Sequence, residues 1–110
     1  MAYDLEIRCE QFALAVRDFC RNSKHNTINL VYIKQIIRSS SSIGANYIEA
    51  NENLGKQDQK MKLRIARKEA KETMYWTKLL ITEDNITIEK LYREADELRR
   101  ILSAILNKLP

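Results

Sequence analysis

The sequence predicts an all-α fold, an up-down-up-down four-helix bundle, and three observations carry that prediction. Apolar residues recur at steps of three and four along four successive stretches, which is the period of one buried helical face. The only proline is the terminal Pro110, and the chain has 2 glycines, so almost nothing interrupts a helix. Strand-type alternation of apolar and polar residues is nowhere sustained. With 110 residues, 45% hydrophobic content and no linker-like stretch, residues 1–110 read as one domain able to bury a core without a disulfide or a metal.

The first helix is expected from about Asp4 to Arg21, with Leu5, Cys9, Phe12, Val16 and Phe19 as its stripe and Ala13 and Cys20 beside it. Cys9 and Cys20 share that helix but lie roughly 16 Å apart along it, so they cannot bond to each other. Buried apolar thiols in a reducing compartment are the expectation. Residues 22–27 are polar and turn-prone. Thr27 is the expected cap of the second helix, and His25, the only histidine, is expected to be solvated in the loop.

The second helix is expected from about Ile28 to Glu52. Its inner face is read as Ile33, Ile37, Ser40, Gly44 and Tyr47, widened by Leu30, Ile36, Ile43 and Ile48. The run from Ser39 to Gly44 thins that face. A phosphate cradle is one reading of four serines and a glycine, but a cradle needs exposed amides at a turn or a helix start. Close packing of a neighbouring helix, with Trp76 the suggested occupant, is the favoured reading. Gln35, Arg38, Ser42, Asn46 and Glu49 form a polar ridge on the opposite side, either solvated or a second contact surface. Gly55 is expected to stop this helix in a left-handed conformation.

The third helix is expected from near Asp58, its suggested cap, to about Thr82. Placing residues at about 100° intervals puts Ile65, Ala66, Ala70, Thr73, Trp76, Thr77, Leu80 and Ile81 on one side. Lys60, Arg64, Arg67, Lys71 and Lys78 line the other, with Tyr75 interleaved. The chain carries a net charge of +4, whereas the segment from Gly55 to Thr82 holds eight Lys or Arg against three Asp or Glu, a local balance of +5. The basicity is placed on this helix rather than spread over the chain. Glu69 falls in the apolar sector, where a carboxylate needs a partner, so a hydrogen bond to Thr73 or an ion pair across the bundle is expected. No second carboxylate of that character accompanies it, which argues against acid–base catalysis.

The fourth helix is expected to follow residues 83–86, capped by Thr87 with Glu89 in its first turn. Ile88, Leu91, Ala95, Leu98, Leu102, Ile105 and Leu109 form an unbroken heptad seam, which suits the core of the bundle or an oligomer. No cofactor or metal is expected. Neither a signal peptide nor an apolar run of bilayer length is read in the sequence, so a cytoplasmic protein is expected, with no use for the sequon at Asn85-Ile86-Thr87.

The stretches Ser41-Ser42-Ile43-Gly44-Ala45-Asn46-Tyr47-Ile48-Glu49-Ala50 and Ile65-Ala66-Arg67-Lys68-Glu69-Ala70-Lys71-Glu72-Thr73-Met74-Tyr75-Trp76 resemble a family of small bacterial four-helix bundle proteins. These are proteins encoded in intervening sequences of large-subunit ribosomal RNA genes, often labelled S23 ribosomal proteins. The chain is similar also to the accessory variability determinants of diversity-generating retroelements. The resemblance implies an up-down bundle assembling as a homopentamer, with no enzymatic activity. In the retroelement branch it implies a basic surface that binds nucleic acid and a partner reverse transcriptase. Family members commonly carry an aliphatic residue where this chain has Tyr47, and the polar run Asn51-Glu52-Asn53 is a second departure. The expected function is a non-enzymatic oligomeric adaptor holding RNA or DNA by its phosphates on Lys60, Arg64, Arg67, Lys71, Lys78 and Tyr75. The alternative is a scaffold or protein-interaction module whose ridge is solvated or meets acidic partners.

Overall fold

In a computed structural model, which describes residues 2–52 and 55–110, the chain forms four helices and no strand among the described residues: α1 (Ala2–Arg21), α2 (Thr27–Ala50), α3 (Lys56–Leu79) and α4 (Asn85–Lys108). Helices adjacent in the chain pack side by side and α1 closes against α4, giving the four-helix bundle expected. At 24 residues each, α2, α3 and α4 are about 36 Å long, and the molecule measures 45 × 22 × 19 Å.

The stripe on α1 is as expected, with Leu5, Cys9, Phe12, Val16 and Phe19 all buried. On α4, Leu91, Ala95, Leu98 and Leu102 are buried, while Ile88, Ile105 and Leu109 pack against the core from its edge. Arg8 closes α1 onto α4 through a two-pronged pair with Glu94, at 2.7 and 2.8 Å, a hydrogen bond that raises the Arg8 pKa further.

The buried face of α2 is rotated from the one expected. Ile36 and Ile43 are fully buried, whereas Ile37 and Ile48 are 37% and 49% exposed. On α3, Leu63 enters the core and Ile81 lies exposed beyond the helix end. The face is set by which side of a helix its two neighbours cover, and the spread of isoleucines around α2 permits either side.

Ser39 and Ser40 are buried in mid-helix, their hydroxyls donating to the carbonyls of Ile36 and Ile37. They serve packing, and no phosphate cradle forms. The helix seated on Gly44 is α1 and not the third helix with Trp76: a Cβ on Gly44 would lie 3.0 Å from the Cβ of Cys9. Trp76 packs near Tyr32 instead, ring centroids 6.4 Å apart. A β-branched side chain at Gly44 would have to push α1 away, because the atom it meets is the root of a side chain. Gly44→Val is therefore expected to destabilise the fold by about 2 kcal/mol. Urea denaturation measures this, and an unchanged midpoint would mean that α1 rides freely on α2.

The helix starts also differ from expectation. Asn26 caps α2, its side chain accepting from the Asn29 amide at 2.8 Å, and Thr27 is already the first helical residue. Asp84 caps α4 by accepting from the amide of Thr87, and hydrogen bonds from the Thr87 side chain and amide hold its carboxyl below the usual range. Glu89 lies beyond the first turn and pairs with Arg93. Gly55 has a positive φ of 98°, but it precedes α3 as its N-cap and does not close α2, which ends at Ala50 with Asn51 as its C-cap. Asp58 sits within the first turn of α3, not ahead of it. Asn53, from the polar run, lies outside the described residues.

Candidate nucleic-acid interface

The side chains on α3 divide into two sets because α2 covers one flank and α4 the other. The carboxylates of Glu69 and Glu72 both face α2, where one guanidinium takes them. Arg38 Nη1 lies 3.1 Å from Glu69 Oε1 and Nη2 lies 2.7 Å from Glu72 Oε1, while Nε donates to Gln35. The expected partner of Glu69 is thus the ion pair across the bundle. Thr73 donates to the backbone carbonyl of Glu69, and its hydroxyl lies 2.8 Å from Ser39 Oγ. Burial works against the charge on Arg38, but the hydrogen bonds it donates to Glu72 and Glu69 outweigh it and raise its pKa. The polar ridge of α2 is therefore in part the α2–α3 seam, with Lys62 and Glu49 pairing at 3.1 Å further along it.

This seam decides the character of the other flank. With its two central carboxylates drawn to α2, α3 presents to the α4 side a line of cations and no anion of its own. Arg64, Arg67, Lys68 and Lys71 line a groove of about 390 Å³ with Arg99 and Ser103 of α4. Lys60 and Arg64 continue it into a second hollow beside Gln57 and Met61. Among the described residues, Lys60, Arg64, Arg67, Lys68 and Lys71 form no ion pair, whereas Arg8, Arg38, Lys62 and Arg99 all do. Arg67 reaches Ser103 at 3.5 Å, and Arg64, Lys68 and Lys71 are exposed.

Four of the residues expected on the ridge, Lys60, Arg64, Arg67 and Lys71, thus stand along one line. Lys78 is set apart: its ammonium lies 5.4 Å from the centre of the Tyr92 ring on α4, beside a different hollow lined by Thr77, Asn85 and Ile88. Tyr75 is 57% exposed at the near end of the line. Two residues were missed from sequence. Lys68 lies within about 60° of Lys71 on the helical projection, so the angular spacing could have found it. Arg99 comes from α4, and no pattern within α3 points to it. It is held by Asp96 at 2.6 Å, a hydrogen bond that in turn keeps the Asp96 carboxyl below the usual range.

Other chemistry has little to build on. Cys9 and Cys20 are free and buried, and burial pushes both thiols up to about 11, which leaves them protonated at neutral pH. His25 is exposed, but its Nε2 lies 2.9 Å from the Cys20 carbonyl, where it can only donate, so it fastens the end of α1. Among the described residues no three His, Cys, Asp or Glu side chains group as metal ligands, and no helix is long and apolar enough to cross a membrane.

No curated protein sequence matches the chain. Among solved structures, the crystal structure of a protein of unknown function from the S23 ribosomal protein family of Bacteroides thetaiotaomicron VPI-5482 superposes with a TM-score of 0.82. It is 31% identical, and the match covers 97% of this chain and 98% of that one. The family profile described as 23S rRNA-intervening sequence protein matches residues 4–104. By sequence over nearly its whole length, and by fold, this chain belongs to the 23S rRNA-intervening sequence protein family.

Proposed function

We propose that this protein is a non-enzymatic cytoplasmic adaptor that binds RNA or DNA through phosphate contacts along the cationic flank of α3. The observation that carries this reading is the division of charge on that helix. Arg38 takes up Glu69 and Glu72, and among the described residues Arg64, Arg67, Lys68 and Lys71 are left without carboxylate partners around one groove. Unpaired cations in a line raise a positive potential that a polyanion neutralises by releasing its own counterions. Contacts of this kind position a backbone and carry no base information, so binding is expected to be largely independent of sequence.

The resemblance to family members that assemble as homopentamers extends to an oligomeric adaptor. Ile37, Ser41, Ala45 and Ile48 follow one another along an exposed side of α2 and supply apolar and small surface for a like subunit. Tyr47, the residue that departs from the family pattern, is buried in the protein's own core at 3% exposure, so the departure falls inside the subunit. A reverse transcriptase is the partner class the retroelement resemblance suggests. A protein-interaction module without nucleic-acid binding is the competing reading, and it is the exposed side of α2 that favours it.

The test is binding of the purified protein to mixed RNA and DNA oligonucleotides across a salt series. The logarithm of the affinity is expected to fall against the logarithm of salt concentration with a slope of about −3 to −4, as four or five phosphate contacts require. Absence of binding at low salt would sink the adaptor reading and leave the protein-interaction module.

A further inference from the structure

An exposed aromatic ring stands at one end of the cationic line. Tyr75 follows Lys71 by one helical turn, about 6 Å along the axis. It is 57% exposed, yet its ring is not loose: it lies 5.3 Å from the Trp76 ring at 60°, and Trp76 in turn lies 6.4 Å from Tyr32 of α2. Trp76 and Tyr32 both pack against the core. The exposed ring is therefore backed by a fixed aromatic pair, a large π-face held ready at low conformational cost. Lys78, the next cation along the helix, is turned to Tyr92 on the α4 side, and Tyr75, about 40° from Lys71 on the helical projection and leaning toward α2, is the large side chain left beside that end of the line.

A duplex buries the faces of its bases in its own stack and shows a protein only edges and phosphates. An unpaired base offers its face, and an aromatic ring beside a cationic track is how single strands are held without regard to sequence. The spacing also suits one strand. From Tyr75 to Lys60 is about 22 Å along the helix, or about six stacked nucleotides at roughly 3.4 Å each. The track lies on a single helix, and Asp96 stands on α4 at its far rim, holding Arg99 and Arg100.

We propose that this flank binds single-stranded nucleic acid, one unpaired base stacking on Tyr75 while the adjoining phosphates follow Lys71, Lys68, Arg67 and Arg64 toward Lys60. The inference rests on the reading that the flank binds nucleic acid at all, and the experiment separates the two. Fluorescence anisotropy at about 0.1 M salt would compare three probes of about twelve nucleotides: a mixed-sequence single strand, the same sequence as a duplex, and an abasic phosphodiester chain that keeps the phosphates and lacks the bases. The proteins are wild type, Tyr75→Ala and Tyr75→Phe, with melting temperatures recorded for each.

Wild type is expected to prefer the single strand to the duplex. Tyr75→Ala should lower single-strand affinity by roughly 5- to 150-fold, the effect of losing one base–aromatic stack. Tyr75→Phe should keep that affinity, and binding of the abasic chain should be weaker and indifferent to position 75. Equal or tighter binding of the duplex, or single-strand affinity unmoved by Tyr75→Ala, overturns the single-strand assignment while leaving phosphate binding intact. Failure of wild type to bind any of the three, the abasic chain included, overturns the nucleic-acid reading with it.

Discussion

Changing Lys60, Arg64, Arg67 and Lys71 together to glutamine is expected to lower nucleic-acid affinity several hundred-fold at about 0.1 M salt and to flatten the salt dependence by about three units of slope. Both figures follow from one quantity. Each phosphate neutralised on a single strand contributes about 0.7 to the slope, so four contribute about 2.8, which at a tenfold dilution from 1 M corresponds to roughly 600-fold in affinity. The stability cost should be small. Glutamine sustains a helix about as well as lysine or arginine. Among the described residues none of the four side chains has a carboxylate partner to lose, and the hydrogen bond broken there is the 3.5 Å contact of Arg67 with Ser103. Light scattering on both proteins checks that assembly is unchanged. A variant that keeps its oligomeric state and binds within about tenfold of wild type would place the phosphate contacts elsewhere, because no salt-dependent term of this size would then belong to α3.

The same division of charge shows why half of the site could be read from the sequence. The angular position of each residue around α3 follows from its number alone, so Lys60, Arg64, Arg67 and Lys71 could be placed on one line. What the angles do not contain is the identity of the neighbour on each flank. Glu69 was legible as a carboxylate in need of a partner, and Arg38 as a member of a polar ridge, but their meeting depends on how α2 is turned against α3. Arg99 was hidden for the same reason, since it reaches the groove only because α4 lies beside α3. The exposure of Ile37 and Ile48 repeats the point: α2 carries isoleucines around more than half its circumference, and the sequence does not choose the side. On α1, where the apolar stripe is narrow, and on α4, where the heptad is strict, the buried residues were those expected.

The helix ends were misplaced by a different cause. Thr27, Asp58 and Thr87 were each plausible as caps, but a better acceptor stood nearby or the backbone had already turned. Asn26 and Asp84 hold the amides three residues on, and Gly55, with a φ of 98°, turns the chain into α3 without any side-chain cap. A cap is a competition among adjacent polar residues worth about 1 kcal/mol, too small for residue type alone to decide which of two neighbours wins.

Asn29 is a polar residue between Ile28 and Leu30 to which the sequence assigns no role, and its replacement by alanine is expected to destabilise the fold as much as truncating a core residue. It is fully buried. Its amide donates to the carbonyls of Lys24 at 2.8 Å and Ile81 at 3.1 Å, and its Oδ1 accepts from the amide of Ile81 at 2.7 Å. One side chain thus fastens the loop before α2 to the chain leaving α3, 52 residues away in sequence. Alanine would leave one amide and two carbonyls without these partners. At about 1 kcal/mol or more for each, offset where water can reach the exposed loop, the loss is about 3 kcal/mol. For a domain of this size that corresponds to a fall of roughly 13 °C in melting temperature. Asn29→Asp, which keeps the acceptor but sets a buried carboxylate oxygen against the carbonyls of Lys24 and Ile81, should cost at least as much as alanine. Urea denaturation should show a lower midpoint with an unchanged slope, and a loss below about 1 kcal/mol would mean that water replaces the clasp. Because the clasp holds the chain just past the end of α3, the change should loosen the turn nearest Tyr75 before the one that carries Arg64. Below its melting temperature the variant should therefore lose single-strand preference sooner than it loses phosphate binding.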